Sequence, residues 1–286
     1  MRQGVQPPIG AVRTAVARAL EEDLTPLGDI TSALLPSELV GDADFVVRTP
    51  GVLAGVACAA ETFAQIDGSV TLAWTADDGD DVDAKQVIGH VTGPLASILT
   101  GERTALNFLG HLSGIATLTH ELVLAASGQA RIWDTRKTTP GLRVLEKAAV
   151  RAGGGSNHRG NLSDWVLLKD NHLTVLGIDD AVRLAHERWP ARTVHVECDS
   201  LDQVEQAITA GADALLLDNM SPDEVRNAVA LADARDGRRL LLEVSGGITL
   251  EMVAAYAQTG IDCISVGAIT NSAPVLDIGL DIEVTH

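Results

Sequence analysis

Residues 193–219 read TVHVECDSLDQVEQAITAGADALLLDN. The β-prone run Thr193 to Val196 stops at Glu197, and the helical stretch Leu201 to Ala210 follows. A second apolar run, Ala214 to Leu217, stops at Asp218 and Asn219. Strand, helix and strand in this order describe one parallel unit, because parallel neighbours need a long crossover. The same rhythm extends outward in both directions. Strands are expected at Ile132-Trp133, Trp165 to Leu168, Leu240 to Val244 and Cys263 to Val266, with helices near Gly141 to Arg151, Ile178 to Arg188, Pro222 to Ala234 and Thr249 to Gln258.

Each of these strands ends in a polar or glycine position. Lys169, Glu197, Asp218, Ser245 and Gly267 follow one another at intervals of 28, 21, 27 and 22 residues, about one βα unit each. Such groups meet at one point only if the sheet curls around it, which is the active-site face of a (β/α) barrel. About six units instead of eight predict an irregular, incomplete barrel. A doubly wound open sheet is the alternative, and it would gather ligands mainly at one switch point.

The first part of the chain has another texture. Ile9, Val12, Val16, Ala19 and Leu20 fall on one helical face. Short β-prone runs follow (Ala43 to Thr49, Gly51 to Ala54, Val70 to Thr75, Val87 to Thr92), with a helix near Ala57 to Gln65. A long helical pattern, Leu95 to Ser127, carries Gly110 and Gly114 as breaks or close-packing points. An α+β domain is expected here.

Composition narrows the function. Hydrophobic residues are 46% but aromatics only 3%, so the core must be aliphatic. The formal charge of -18 argues against a nucleic-acid partner. Cys58, Cys198 and Cys263 are scattered thiols with neither a disulfide framework nor a metal-site spacing, and they are read as buried small hydrophobes of a reducing compartment. With no signal-peptide core in MRQGVQPPIG and no apolar run long enough to span a bilayer, a cytoplasmic protein is expected.

Against this acidic background, residues 131–169 hold eight cations and three anions, a local charge of +5. Thr135, Arg136, Lys137, His158, Arg159 and Lys169 lie at or just after strand ends. Arg grips carboxylates with two parallel bonds and Lys supplies a point charge for phosphate, so the cluster suits a small polyanion. Solvated surface cations are the plainer explanation for any one of them. Arg143, Lys147 and Arg151 recur every four residues and are expected to form a solvated helix stripe. Glu197 and Asp218 could accept hydrogen bonds from sugar hydroxyls, hold a divalent cation, or simply cap helices. Ser245-Gly246-Gly247, with Val266-Gly267-Ala268 on the next strand, offers backbone N–H groups to a phosphate, although turn glycines are common in any βα protein.

Taken together, these motifs resemble the quinolinate phosphoribosyltransferase family over nearly the whole chain. They are Glu22-Asp23-Leu24 with Gly28-Asp29-Ile30-Thr31, Glu102 to Asn107, His111 to Thr117, Asp134 to Thr138, Asn157-His158-Arg159, Lys169-Asp170-Asn171-His172, Leu217-Asp218-Asn219 and Ser245 to Gly247. The resemblance implies an N-terminal α/β sandwich domain (1–111), a barrel domain (112–269) and a C-terminal segment (270–286) returning to the first domain. It implies a decarboxylating transfer from phosphoribosyl pyrophosphate to quinolinate, and an obligate homodimer with shared active sites, open to assembly as a hexamer. Arg103 would reach the neighbour's site. Arg103, Arg136, His158, Arg159 and Lys169 match quinolinate-binding positions; Lys137, Lys169, Glu197 and Asp218 match those engaging the sugar pyrophosphate with Mg²⁺. The two glycine turns match the 5′-phosphate loops. Asn161, where the family usually has Gly, and Ala148, where an aromatic is frequent, depart from the pattern. Three rivals remain open: a molybdenum-associated paralogue of the same fold, a Schiff-base aldolase using Lys169, and a non-catalytic binding protein.

Overall fold

The computed structural model describes residues 6–234 and 240–285. Residues 1–5 of the amino-terminal stretch read above, and His286, lie outside the described residues. In chain order the elements are α1 (Ile9–Leu24), a 3-10 turn (Ser32–Leu34), β1 (Val40–Val47), β2 (Gly51–Val52), α2 (Val56–Ile66), β3 (Thr71–Trp74), β4 (Asp81–Val82), β5 (Val87–Pro94), α3 (Leu95–Ala126), β6 (Arg131–Trp133) and α4 (Arg143–Ala152). There follow β7 (Val166–Leu168), α5 (Asp170–Leu176), α6 (Ile178–Arg188), β8 (Val194–Cys198), α7 (Leu201–Ala210), β9 (Ala214–Asp218), α8 (Pro222–Asp233), β10 (Leu241–Ser245), α9 (Leu250–Ala257), β11 (Cys263–Ser265), α10 (Ala268–Asn271) and β12 (Ile278–Thr285). No helix among the described residues is long and apolar enough to cross a membrane.

The chain divides into two compact units. Residues 1–120, 138–154 and 269–286 form the first, and residues 121–137 and 155–268 the second. In the first unit a four-stranded antiparallel sheet runs in the order β12-β1-β5-β3. Phe45, Val47, Phe63, Ile88, Val91 and Ile98 are fully buried in its core, where Phe45 stacks on Trp74 at 4.9 Å. Strand β12 lies within the C-terminal segment 270–286, for which a return to the first domain but no strand is expected from the sequence. It pairs with β1 from Val40↔Thr285 to Val47↔Ile278 and so covers an edge that would otherwise expose its backbone groups. Helix α3 is unbroken, which makes Gly110 and Gly114 close-packing points: a Cβ on Gly114 would sit 2.0 Å from the Pro274 carbonyl oxygen. Val12, Val16 and Leu20 of α1 are buried as expected, but Ile9, in the first turn, is exposed.

The second unit is the expected incomplete barrel. Its six parallel strands run β6-β11-β10-β9-β8-β7. The edge strands β6 and β7 do not pair with each other, and a bridge between Trp133 and Ser156 extends the β6 edge instead. All three cysteines are buried and free. Burial pushes each thiol up to about 12, so none is a ready thiolate.

Candidate active site

Register explains why the strand-end groups meet. Side chains alternate between faces with period two, and residues paired across parallel strands share a face. Leu167 is level with His195, His195 with Ala214, Glu197 with Leu216, and Leu216 with Glu243. Asp218 is level with Ser245, Glu243 with Cys263, and Ser265 with Trp133. Parity therefore puts Glu197, Asp218 and Ser245 on one face, with His195, Glu243, Ser265 and Trp133, and continuing β7 by one residue adds Lys169.

The acidic corner is built on β7, β8 and β9. Lys169 Nζ lies 2.6 Å from Glu197 Oε2. The backbone of Lys169 is fixed where the strand becomes α5, because its N–H donates to His172 Nδ1 at 3.1 Å. The Asp218 carboxyl is raised above its ordinary value by burial and then by the nearby Glu197 charge, while Lys169 and Lys137 oppose the shift. Asn219 donates through Nδ2 to Asp218 Oδ2 at 2.7 Å. Glu197 and Asp218 also line a cleft of about 430 Å³ with Asp170, Asp199, Gln203 and Gln206. Two carboxylates close enough to repel, in an oxygen-rich cleft, form a donor set suited to a hard divalent cation.

The phosphate corner lies beside it. Asn219 N–H donates to the Ser245 carbonyl at 2.9 Å. Gly246 has φ +108°, and a Cβ there would fall 2.3 Å from Asn219 Oδ1; Gly247 has φ +59°. Both positions need glycine for conformation, and the first also for space. At Gly267 a Cβ would meet Lys137 Cδ at 3.0 Å, so the Lys137 stem runs along that turn. Val266 is buried, its N–H bonded to the Trp133 carbonyl at 3.0 Å. Ala268 opens α10.

The cationic corner depends on a residue that the charge pattern did not single out. Asp134, fully buried after β6, accepts from Asn157 Nδ2 at 2.7 Å and from the His158 backbone N–H at 2.8 Å. It ties the segment carrying Thr135, Arg136 and Lys137 to the segment carrying His158 and Arg159. Thr135 Oγ1 in turn accepts the Lys137 N–H at 3.0 Å. His158 and Arg159 are buried, and Arg136 Nε is a buried donor with no partner among the described residues. Burial, followed by the proximity of Arg136, lowers the Arg159 guanidinium from its ordinary value. Two guanidiniums held together away from water are unfavourable alone and favourable around an anion.

Arg103 belongs to the first unit. It is exposed on α3 and lines a cavity of about 750 Å³ with Arg18, Glu22, Asp23 and His111. Helix α4 is also in that unit, and the expected solvated stripe is corrected there: Lys147 is buried, because α4 buries most of its surface. Its neighbour Glu146 is fully buried, 2.9 Å from His111 Nε2 and accepting the Thr139 N–H at 3.1 Å.

Comparison with known proteins places the chain in a family. Residues 29–113 match the N-terminal domain of quinolinate phosphoribosyl transferase, and residues 115–281 match its C-terminal domain. The chain is 43% identical to the nicotinate-nucleotide pyrophosphorylase [carboxylating] of Mycobacterium leprae, over 95% of this chain and 97% of that protein. It is 42% identical to a probable nicotinate-nucleotide pyrophosphorylase [carboxylating] of Bacillus subtilis, over 91% and 89%. The solved nicotinate-nucleotide pyrophosphorylase of Francisella tularensis superposes with a TM-score of 0.91 at 40% identity, covering 97% of this chain and 98% of that one. On both domains and along nearly its full length, this chain belongs to the quinolinate phosphoribosyltransferase family.

Proposed function

We propose that the protein transfers the phosphoribosyl group of phosphoribosyl pyrophosphate to quinolinate with loss of CO₂, giving nicotinate mononucleotide and pyrophosphate for NAD synthesis. One observation carries this assignment beyond the family match. A buried Arg159 beside a partly buried Arg136, a Lys–carboxylate pair within electrostatic reach of Arg159, and two glycine turns lie in the barrel unit, as a diacid beside an activated ribose phosphate requires.

The roles follow from charge. Arg136, Arg159 and His158 hold the two quinolinate carboxylates and aim the ring nitrogen at the anomeric carbon. Backbone N–H groups of the turns at Ser245-Gly246-Gly247 and Val266-Gly267-Ala268 hold the 5′-phosphate. As pyrophosphate departs, positive charge grows on the ribose, and the carboxylates of Glu197 and Asp218 stabilise it. Lys137 and Lys169 stabilise the departing anion. Glu197 and Asp218 would help to hold Mg²⁺ brought in with the substrate pyrophosphate, and the ion would supply further neutralisation of the leaving group. The pyridinium so formed stabilises the carbanion left on the adjacent carbon as CO₂ departs, and a proton then takes the place of the lost carboxylate.

The same proposal covers assembly and place. A homodimer in which Arg103 of one subunit completes the neighbour's site is supported by its exposure, and trimers of such dimers would give a hexamer. A cytoplasmic setting is supported by three free, buried thiols. The test is direct: quinolinate, phosphoribosyl pyrophosphate and Mg²⁺ should yield nicotinate mononucleotide. No product from folded protein would remove the assignment.

A further inference from the structure

The inner face of the barrel carries polar side chains below the strand ends, where an aliphatic layer would be expected. Glu243 in the middle of β10 and His195 in β8 are each 1% exposed, and His158 is 7% exposed. Glu243 Oε2 lies 3.2 Å from His158 Nε2 and 3.5 Å from His195 Nε2. The other carboxylate oxygen accepts from the Ser265 hydroxyl. The two contacts of Oε2 are charge contacts: by geometry it accepts no hydrogen bond among the described residues. The His158 ring meets Trp165 edge-on at 4.8 Å and Trp133 at 5.5 Å, and lies over the His195 ring at 6.1 Å. Asp134 fixes its backbone. His158 is therefore held from several sides, and Glu243 sets a carboxylate against its ring.

A carboxylate this deep is costly unless its charge is matched. Burial alone would raise Glu243, but His158, His195 and Ser265 outweigh it and hold the group below its ordinary value. Burial lowers His195, against the pull of Glu243. Glu243 also lies within electrostatic reach of Arg159. Strand β10 thus places one buried negative charge beneath the cations assigned to quinolinate.

We infer that Glu243 is a positioning residue for the pyridine diacid: it fixes the His158 ring, with Ser265 and His195 holding the carboxylate in place, so that quinolinate meets a preset cationic wall. The inference rests on the proposed reaction and extends it, because Glu243 touches no substrate and acts through His158. Its effect belongs to quinolinate, since the sugar-phosphate residues Lys169, Glu197, Asp218 and Gly246 are organised by other contacts.

The experiment compares wild type with Glu243→Gln, which keeps the shape and removes the charge. Both KM values are measured, thermal unfolding serves as a fold check, and quinolinate binding is titrated by calorimetry without the sugar substrate. A folded E243Q should raise the quinolinate KM and weaken its binding by about 10- to 100-fold, the scale on which a misplaced binding group acts. The KM for phosphoribosyl pyrophosphate should stay within about twofold. Should E243Q fail to fold, Ser265→Ala removes only the hydroxyl and should raise the same KM by a smaller factor. An unchanged quinolinate KM in the folded variant, or equal rises in both KM values, would overturn the inference and leave the reaction standing. Stoichiometric transition metal in the wild type that is lost in E243Q would also overturn it, by making the three groups ligands. A wild type that makes no nicotinate mononucleotide would take down the reaction and the inference together.

Discussion

Arg136 is the residue whose loss should read out most cleanly. Its Nε is buried without a protein partner among the described residues, so the guanidinium contributes little to holding the fold. Arg136→Ala should raise the quinolinate KM by roughly 10- to 100-fold, the loss of one or two charge-assisted bonds, and leave the unfolding temperature nearly unchanged. An unchanged KM would exclude it from the site. Asp29 makes the opposite case. Its carboxylate accepts from Ser32 Oγ at 2.5 Å and Thr100 Oγ1 at 3.0 Å, and from the backbone N–H groups of Ser32 and Thr31. Hydrogen bonds from Ser32 do most to lower it from 3.8 to about 2. A depressed carboxyl stabilises the fold above its unfolded value and loses that contribution as pH falls through the folded one. Asp29→Asn should therefore lower the melting temperature at neutral pH, with the gap from wild type closing between about pH 4 and pH 2. A gap independent of pH would contradict this. At this scale the charged residues were legible because charge stands out against an acidic chain. Glu243 was not, since an acid inside a short apolar run reads as noise until register shows what it faces; Asp134 was visible as a strand-end acid, but not the bonds it makes to Asn157 and His158. Parity held a usable signal: Glu243 lies two residues before Ser245, and His195 two before Glu197.

Helix α3 and the β10–α9 turn carry the predictions that belong to elements. Gly114 packs against the chain at Pro274 so closely that any side chain must displace it. Gly114→Ala should cost about 1–3 kcal/mol, seen as a lower denaturant midpoint. An unaffected midpoint would mean the approach is looser than described. In the turn, Gly246→Ala would strain a φ of +108° and drive a Cβ into Asn219, beside Asp218. The KM for phosphoribosyl pyrophosphate should rise more than that for quinolinate, and steady-state kinetics would show it. Strands and helices of the barrel were legible because each is one local pattern between punctuating residues. Strand β12 escaped although Ile278, Leu280, Ile282 and Val284 alternate as a half-buried strand should. Its partner β1 begins at Val40, and no local pattern names a partner so distant in sequence.

For the whole molecule, the curl of the sheet followed from strand-end spacing alone, since groups on separate βα units share a site only around a barrel. The edge left open between β6 and β7 could not be read that way, because it depends on the path the chain takes through space after β6. Assembly is the remaining question at this scale. If Arg103 completes a neighbour's site, subunits carrying Arg103→Ala should rescue subunits carrying Lys169→Ala. An equal mixture exchanged through mild denaturant should recover roughly a quarter of wild-type activity, as expected for one intact site in half of the dimers. No recovery from a mixture shown to contain hybrids would confine each site to one chain.

In the proposed reaction, one barrel mouth binds a pyridine diacid beside an activated ribose and releases one carboxylate only after the transfer. Quinolinate labelled in the carboxylate next to the ring nitrogen distinguishes this order from any other. Labelled CO₂ should appear only when phosphoribosyl pyrophosphate is present, mole for mole with nicotinate mononucleotide. CO₂ released without the sugar substrate, or nucleotide formed from nicotinate with no CO₂ from quinolinate, would contradict it.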